Sequence, residues 1–185
     1  MERAPHQDPP TSAFAMPINF RAWIDEHRHL LKPPVGNQVV YKDTEFIVMV
    51  VGGPNARNDF HYNEGEEFYY QIEGDIVLKI HDGAKVVDVP IREGDIFLLP
   101  PRTPHSPQRP GNTVGLVMER RRNAEERDGF IWFCEQCGAK LYDEYEHITD
   151  IVSQLPPIMQ RYKVHEDSFR CPERGGSAPC LRRNS

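Results

Sequence analysis

Through the middle of this chain, apolar positions come in short β-branched and aromatic runs. "NQVVYKD", "EFIVMVVGG", "EEFYYQIEGDIVLKI", "AKVVDVPI", "GDIFLLPP" and "NTVGLVMER" follow one another up to about residue 121. Gly, Pro, Asn or Asp separates most of them, the punctuation of strands and turns. In "DIVLKI", Ile76, Leu78 and Ile80 alternate with other residues, as a half-buried strand requires. "HDGAK", residues 81–85, reads as a hairpin turn, with Asp82 and Gly83 supplying positive φ angles. Many short strands at this spacing predict a mainly β protein, a sandwich or barrel. Ahead of them, residues 18–31 space Phe20, Trp23, Ile24 and Leu30–Leu31 as a helix does, with Asn19 able to cap its start. Behind them come a charged linker, "ERRRNAEERDG", the segment "FIWFCEQCGAKLYDEYEHI", and a helix around "DIVSQLPPIMQRYKV" that Pro156 and Pro157 should break or kink.

Composition narrows the class. The chain has 185 residues, enough for one domain and a small appendage; 38% are hydrophobic and 27% charged, as in ordinary globular proteins. A net charge of -6 argues against nucleic acid as a partner, since phosphate binding needs clustered positive charge. No apolar run is long enough to span a bilayer, and "MERAPHQDPPTSAFA" lacks the apolar core of a secretory signal. The expectations are a cytoplasmic protein without a membrane or nucleic-acid partner. Residues 1–17 are expected to be disordered, and Met16 is as reasonable a start as Met1. Four cysteines without a signal point away from a disulfide scaffold.

The candidate chemistry lies in two half-motifs. The first is His61, Asn63, Glu67 and Gly74 in "HYNEGEEFYYQIEG"; the second is Gly94, Pro100 and His105 in "GDIFLLPPRTPH". One such histidine is ordinarily a solvated surface residue, and Glu64, Glu66 and Glu67 alone would read as an acidic turn. Both halves together match the two motifs of the cupin family. Asn63 stands where the first motif has its second histidine, and Arg102 where the second often has glycine. The resemblance implies a small β-barrel, jelly-roll-like, in which each motif is a strand–turn–strand and both deliver ligands to one pocket. Two imidazoles and one carboxylate suit non-haem Fe(II), and loss of the second histidine frees a coordination position.

A narrower resemblance covers residues 18–171. "LLKPPVGN", "VVGGPNARNDFHYNEGEEFYYQIEGD", "GDIFLLPPRTPHSPQRP" and "TVGLVMER" are similar to the 3-hydroxyanthranilate 3,4-dioxygenase family. That resemblance implies ring opening of 3-hydroxyanthranilate by O2 to 2-amino-3-carboxymuconate semialdehyde, on the route from tryptophan through kynurenine to quinolinate and NAD. It also implies an Fe(II) cofactor and a homodimer. Carried over by motif, His61, Glu67 and His105 hold the iron. Arg57 and Glu119 are catalytic, and Arg109 binds substrate together with Arg57, Glu67 and Glu119. The physical logic agrees: a planar arginine fork suits the substrate carboxylate, and a glutamate can accept a hydrogen bond from its amino or hydroxyl group. The bland alternative makes Arg57 or Glu119 only an ion-pair partner.

Cys134 and Cys137 form a Cys-x-x-Cys knuckle, half of a tetrahedral metal site. Members of the family often carry a second Cys-x-x-Cys near the C-terminus. Here Cys171 is present, Arg174 occupies the place of its partner, and Cys180 is the substitute. Either these four hold a second Fe or Zn in a structural role, or the knuckle is an empty pair of thiols or a disulfide, which a cytoplasmic address disfavours. The expected organisation is a cupin catalytic domain over 18–125 with an N-terminal helix, then a cysteine-containing α/β extension over 126–185. Rival functions are a cupin dioxygenase for another small substrate and a non-enzymatic ligand-binding cupin.

Overall fold

A computed structural model describes residues 16–165, apart from 34–35, 42–43, 56 and 135–136. The segment expected to be disordered therefore lies almost wholly outside the described residues, as do Cys171, Arg174 and Cys180. Helix α1 spans Phe20–His27, and the Asn19 side chain caps it by accepting from the Ala22 N–H at 3.0 Å. A single 3₁₀ turn, Arg28–Leu30, replaces the last turn of the expected longer helix.

Among the described residues, eleven strands form two antiparallel sheets. One sheet has the order β1 (Asn37–Val39), β2 (Phe46–Gly52), β9 (Val114–Arg120), β4 (Glu67–Glu73), β7 (Ile96–Leu99). The other has the order β11 (Lys140–Glu146), β10 (Asp128–Phe133), β3 (Asp59–Tyr62), β8 (His105–Gln108), β5 (Ile76–His81), β6 (Val86–Ile91). The sheets share no hydrogen-bonded strand, so the expected small barrel is an open two-sheet sandwich. Its core draws Met49, Val51, Tyr69, Leu99 and Val117 from the first sheet and Ile76, Leu78 and Ile91 from the second. Inward residues alternate with outward ones, and the sheets bury their apolar rows against each other.

Three local expectations change. In the β5–β6 turn only Gly83 has positive φ; Asp82 instead accepts from the backbone N–H groups of Ala84 and Lys85 through its side chain. Helix α2, Ile151–His165, runs through Pro156 and Pro157 rather than breaking there. It contributes Ile158 to an apolar cluster with Phe130, Trp132 and Ile148, and this burial outweighs the hydrogen bonds the prolines cannot make. Beyond residue 125, where the expected extension starts, the sheet continues: β10 is buried along its whole length and pairs with β3, placing Phe130 opposite His61.

Residues 128–133 therefore hold the sheet that carries His61. Trp132→Ala should destabilise the fold by about 3–5 kcal/mol through the cavity it leaves. Denaturant unfolding measures this, and a loss below about 1 kcal/mol would make β10 peripheral.

Candidate active site

His61 and His105 are brought together by direct cross-strand pairing of β3 with β8. Their rings lie 5.3 Å apart at 67°. Glu67 comes from the opposite sheet, at the start of β4, and its register partner on β9 is Glu119. His61, Glu67 and His105 are all buried, and their ligand-capable atoms lie within 4.8 Å of one another. Asn63 follows β3 in the turn, so the face-sharing that spacing suggests within one strand is here a meeting of two sheets.

Both histidines are oriented through their second nitrogen. His105 donates Nδ1–H to the Thr103 carbonyl at 2.9 Å, leaving Nε2 toward Glu67 Oε2 at 3.1 Å. His61 donates Nε2–H to Asp128 Oδ2 at 2.6 Å. The donor set, two imidazole nitrogens and one carboxylate oxygen, is one that divalent transition metals accept. Charge fits as well. Among the described residues Arg122 pairs with Glu119 and Asp128, whereas Glu67 has no arginine or lysine partner and is left to face a cation. Burial opposes ionisation of Glu67, yet His105, then His61 and the Tyr69 hydroxyl, hold its pKa down at about 2. Burial likewise opposes a charged His105, but Glu67 outweighs it and raises that pKa. Glu119 goes the other way: burial, and then the charge of Glu67, push its carboxyl up.

The expected substrate residues line the same cavity, which His61, Glu67, His105, Arg57, Arg109 and Glu119 share with Asn55, Tyr69 and Pro107. Arg57 is ion-paired with Asp59, which lies nearly buried at the start of β3. Arg109 differs. It is 3% exposed, its Nη1 donates only to the neutral Gln71 Oε1 at 3.2 Å, and its Nε has no acceptor. Among the described residues no carboxylate pairs with it, and burial lowers its pKa. Gln71 is itself fixed, because its Nε2 donates to the carbonyls of Glu73 and Val114. A Cβ at position 115 would lie 2.8 Å from Arg109 Nη1, so Gly115 leaves room for the guanidinium.

Asn63 does more than leave out a fourth ligand. Its Nδ2 donates to Glu119 Oε2 at 3.1 Å and approaches Glu67 Oε2 at 3.4 Å. Sequence reasoning missed Tyr69, Gln71, Arg122 and Asp128. Tyr69 and Gln71 follow Glu67 at period two, a signal that was available. Arg122 and Asp128 sit in a charged run that carries no such signal. Cys134 is buried and Cys137 exposed after β10, and neither lines this cavity.

Fold and site together define a two-sheet β protein with a buried His–Glu–His group fit for a divalent metal. A family model described as 3-hydroxyanthranilic acid dioxygenase matches residues 13–163. The 3-hydroxyanthranilate 3,4-dioxygenase of Xanthomonas euvesicatoria is 54% identical over 146 residues, 79% of this chain and 82% of the relative. That of Ruegeria pomeroyi is 51% identical over 163 residues, 88% of this chain and 91% of the relative. Among solved structures, a cupin-2 domain protein of Shewanella frigidimarina aligns with TM-score 0.46 at 15% identity, covering 56% of this chain and 94% of that one. The chain belongs to the 3-hydroxyanthranilic acid dioxygenase family.

A metal must displace the proton that Glu67 stabilises on His105. Co(II) uptake by metal-free protein should therefore release a proton, with affinity rising as pH climbs toward the raised His105 pKa. Without metal the same pair acts oppositely. Its stabilisation is full below the ordinary histidine value of 6.5 and lost as pH rises through the raised one. Calorimetry in buffers of different ionisation enthalpy measures the first, and pH-dependent melting the second.

Proposed function

We propose that this protein opens the aromatic ring of 3-hydroxyanthranilate with O2, dependent on Fe(II), to give 2-amino-3-carboxymuconate semialdehyde. The observation that carries the reading is Arg109, a buried cation with a neutral partner, in the wall of the cavity that holds His61, Glu67 and His105. A buried guanidinium without a counter-ion is costly, and a planar aromatic carboxylate supplies one in bidentate fashion. A substrate without a carboxylate would not. Relatives at 51–54% identity carry the name of this activity.

His61, Glu67 and His105 would hold the iron, which would supply the activation of O2. The other groups bind and orient. Arg109 receives the carboxylate, with Gln71 and Gly115 fixing where its fork lies. Glu119, whose pKa is raised, accepts the hydrogen bond and then the proton of the substrate hydroxyl or amino group. Arg57, held by Asp59, stabilises the negative charge that develops on oxygen. Tyr69 donates to Glu67 Oε1 at 2.7 Å and keeps that carboxylate ionised. The cysteines stand apart from this chemistry, so a second Fe or Zn held by Cys134, Cys137, Cys171 and Cys180 would serve structure.

We assign the protein to the cytoplasm, within the pathway from kynurenine to quinolinate and NAD, and read it as a homodimer. No described helix is long and apolar enough to cross a membrane. On the outer face of the first sheet, Leu98 pairs with Phe68 and Ile96 with Tyr70 in adjacent rows. Ile96, Leu98, Tyr70 and Phe46 are exposed there, an apolar face suited to a second copy.

Iron-loaded protein given O2 and 3-hydroxyanthranilate should show the absorbance of the ring-opened semialdehyde; no turnover by fully loaded protein would sink the assignment. Arg109→Ala should cost about 2–5 kcal/mol of substrate binding and spare iron, with Lys restoring only part. Substrate titration of the loaded variant decides this, since unchanged affinity would move the carboxylate contact elsewhere. Leu98→Glu should shift sedimentation from dimer to monomer.

A further inference from the structure

Behind the cavity runs a continuous chain of buried polar contacts that the roles above do not use. Arg122 lies just past β9, in what the sequence presents as a charged linker. Its Nη1 meets Glu119 Oε1 at 2.8 Å. Its Nε donates to Asp128 Oδ1 at 2.8 Å, and its Nη2 to Asp128 Oδ2 at 2.5 Å. The same Oδ2 accepts from His61 Nε2 at 2.6 Å. From the far side of Glu119, Asn63 closes the path toward Glu67. One guanidinium is thus shared between the carboxylate behind His61 and the carboxylate that faces the substrate. The side chains of Arg122, Asp128 and Glu119 are all at most 5% exposed, so water screens none of these contacts.

We propose that Arg122 is a positioning residue that ties the metal side of the site to its substrate side. Through Asp128 it fixes the orientation and tautomer of His61; through Glu119 it fixes the acceptor offered to the aromatic acid. The inference rests on reading His61, Glu67 and His105 as the metal ligands. The physical reason is the outer partner of a metal-bound histidine. An imidazole that donates one N–H to a carboxylate is locked in one tautomer, and that carboxylate needs its own partners to stay ionised and still. Both oxygens of Asp128 are held, Oδ2 by His61 Nε2 and both by Arg122. Lysine could replace Arg122 only in part, because three bonds to two carboxylates require a planar fork.

The test is Co(II) titration of metal-free protein against a competing chelator, with the visible d–d spectrum recorded, for wild type, Asp128→Asn, Arg122→Gln and Arg122→Lys. Thermal unfolding of each accompanies it. Asp128→Asn and Arg122→Gln should lower Co(II) affinity about 10- to 100-fold and change the spectrum, with Arg122→Lys recovering part of the loss. Arg122→Gln should also raise KM for 3-hydroxyanthranilate. Folded Asp128→Asn and Arg122→Gln with wild-type affinity and spectrum would overturn the proposal. So would a loss confined to the unfolding midpoint, which is what a purely structural ion pair predicts. If Arg122→Gln does not fold, the isosteric Asp128→Asn decides between these outcomes. Co(II) affinity is read without turnover, so failure of the substrate assignment and failure of this linkage are separate results.

Discussion

Charge buried between two apolar sheets is the constraint on which this molecule turns. Carboxylates, histidines and arginines converge where the two sheets face each other, and each unpaired ion there would cost several kcal/mol. The fold resolves nearly all of it by pairing. Asp59 holds Arg57, Arg122 spans Asp128 and Glu119, and Glu67 meets His105. Two features stay open: an excess of negative charge around His61, Glu67 and His105, and a cation at Arg109 with only an amide for company. A divalent metal and an aromatic carboxylate complete both. The site is thus specified as much by the charges the protein leaves uncompensated as by those it pairs.

The strands do the aiming. His61 and His105 meet because β3 and β8 pair in that register, and Glu67 faces Glu119 because β4 pairs with β9. A slip of one residue in either pairing would turn these side chains to the opposite face. The turns guard against that slip. Gly94, with φ of 88°, turns the chain into β7, and Arg102, with φ of 60°, does so ahead of His105. An arginine in left-handed backbone costs roughly 1–2 kcal/mol relative to glycine. Arg102 offsets that cost through its ion pair with Glu64 and its N–H bond to the Asn63 carbonyl, which join the two half-motifs across their turns.

Much of this was legible in the chain itself. The strands up to β9 other than β3 and β8 follow from alternation and turn residues, β3 and β8 only from the motif resemblance, and the helix cap from Asn19. Two short motifs mark His61, Glu67 and His105, and the family resemblance marks Arg57, Arg109 and Glu119; where the motif residues meet was set by the pairing of β3 with β8 and of β4 with β9. Tertiary structure alone decided the rest. Asp128 and Arg122 are charged residues in a charged run, and nothing local distinguishes them from a solvated linker. They become buried only because β10 pairs with β3, a contact between segments far apart in sequence. Helix α2 likewise survives two prolines because Ile158 is buried against Phe130 and Trp132, and that gain depends on a partner strand a linear pattern cannot supply. Sequence singled out the residues proposed to carry the chemistry; long-range pairing decided which others hold them in place, since the energy of a buried charge depends on neighbours that only the folded chain provides.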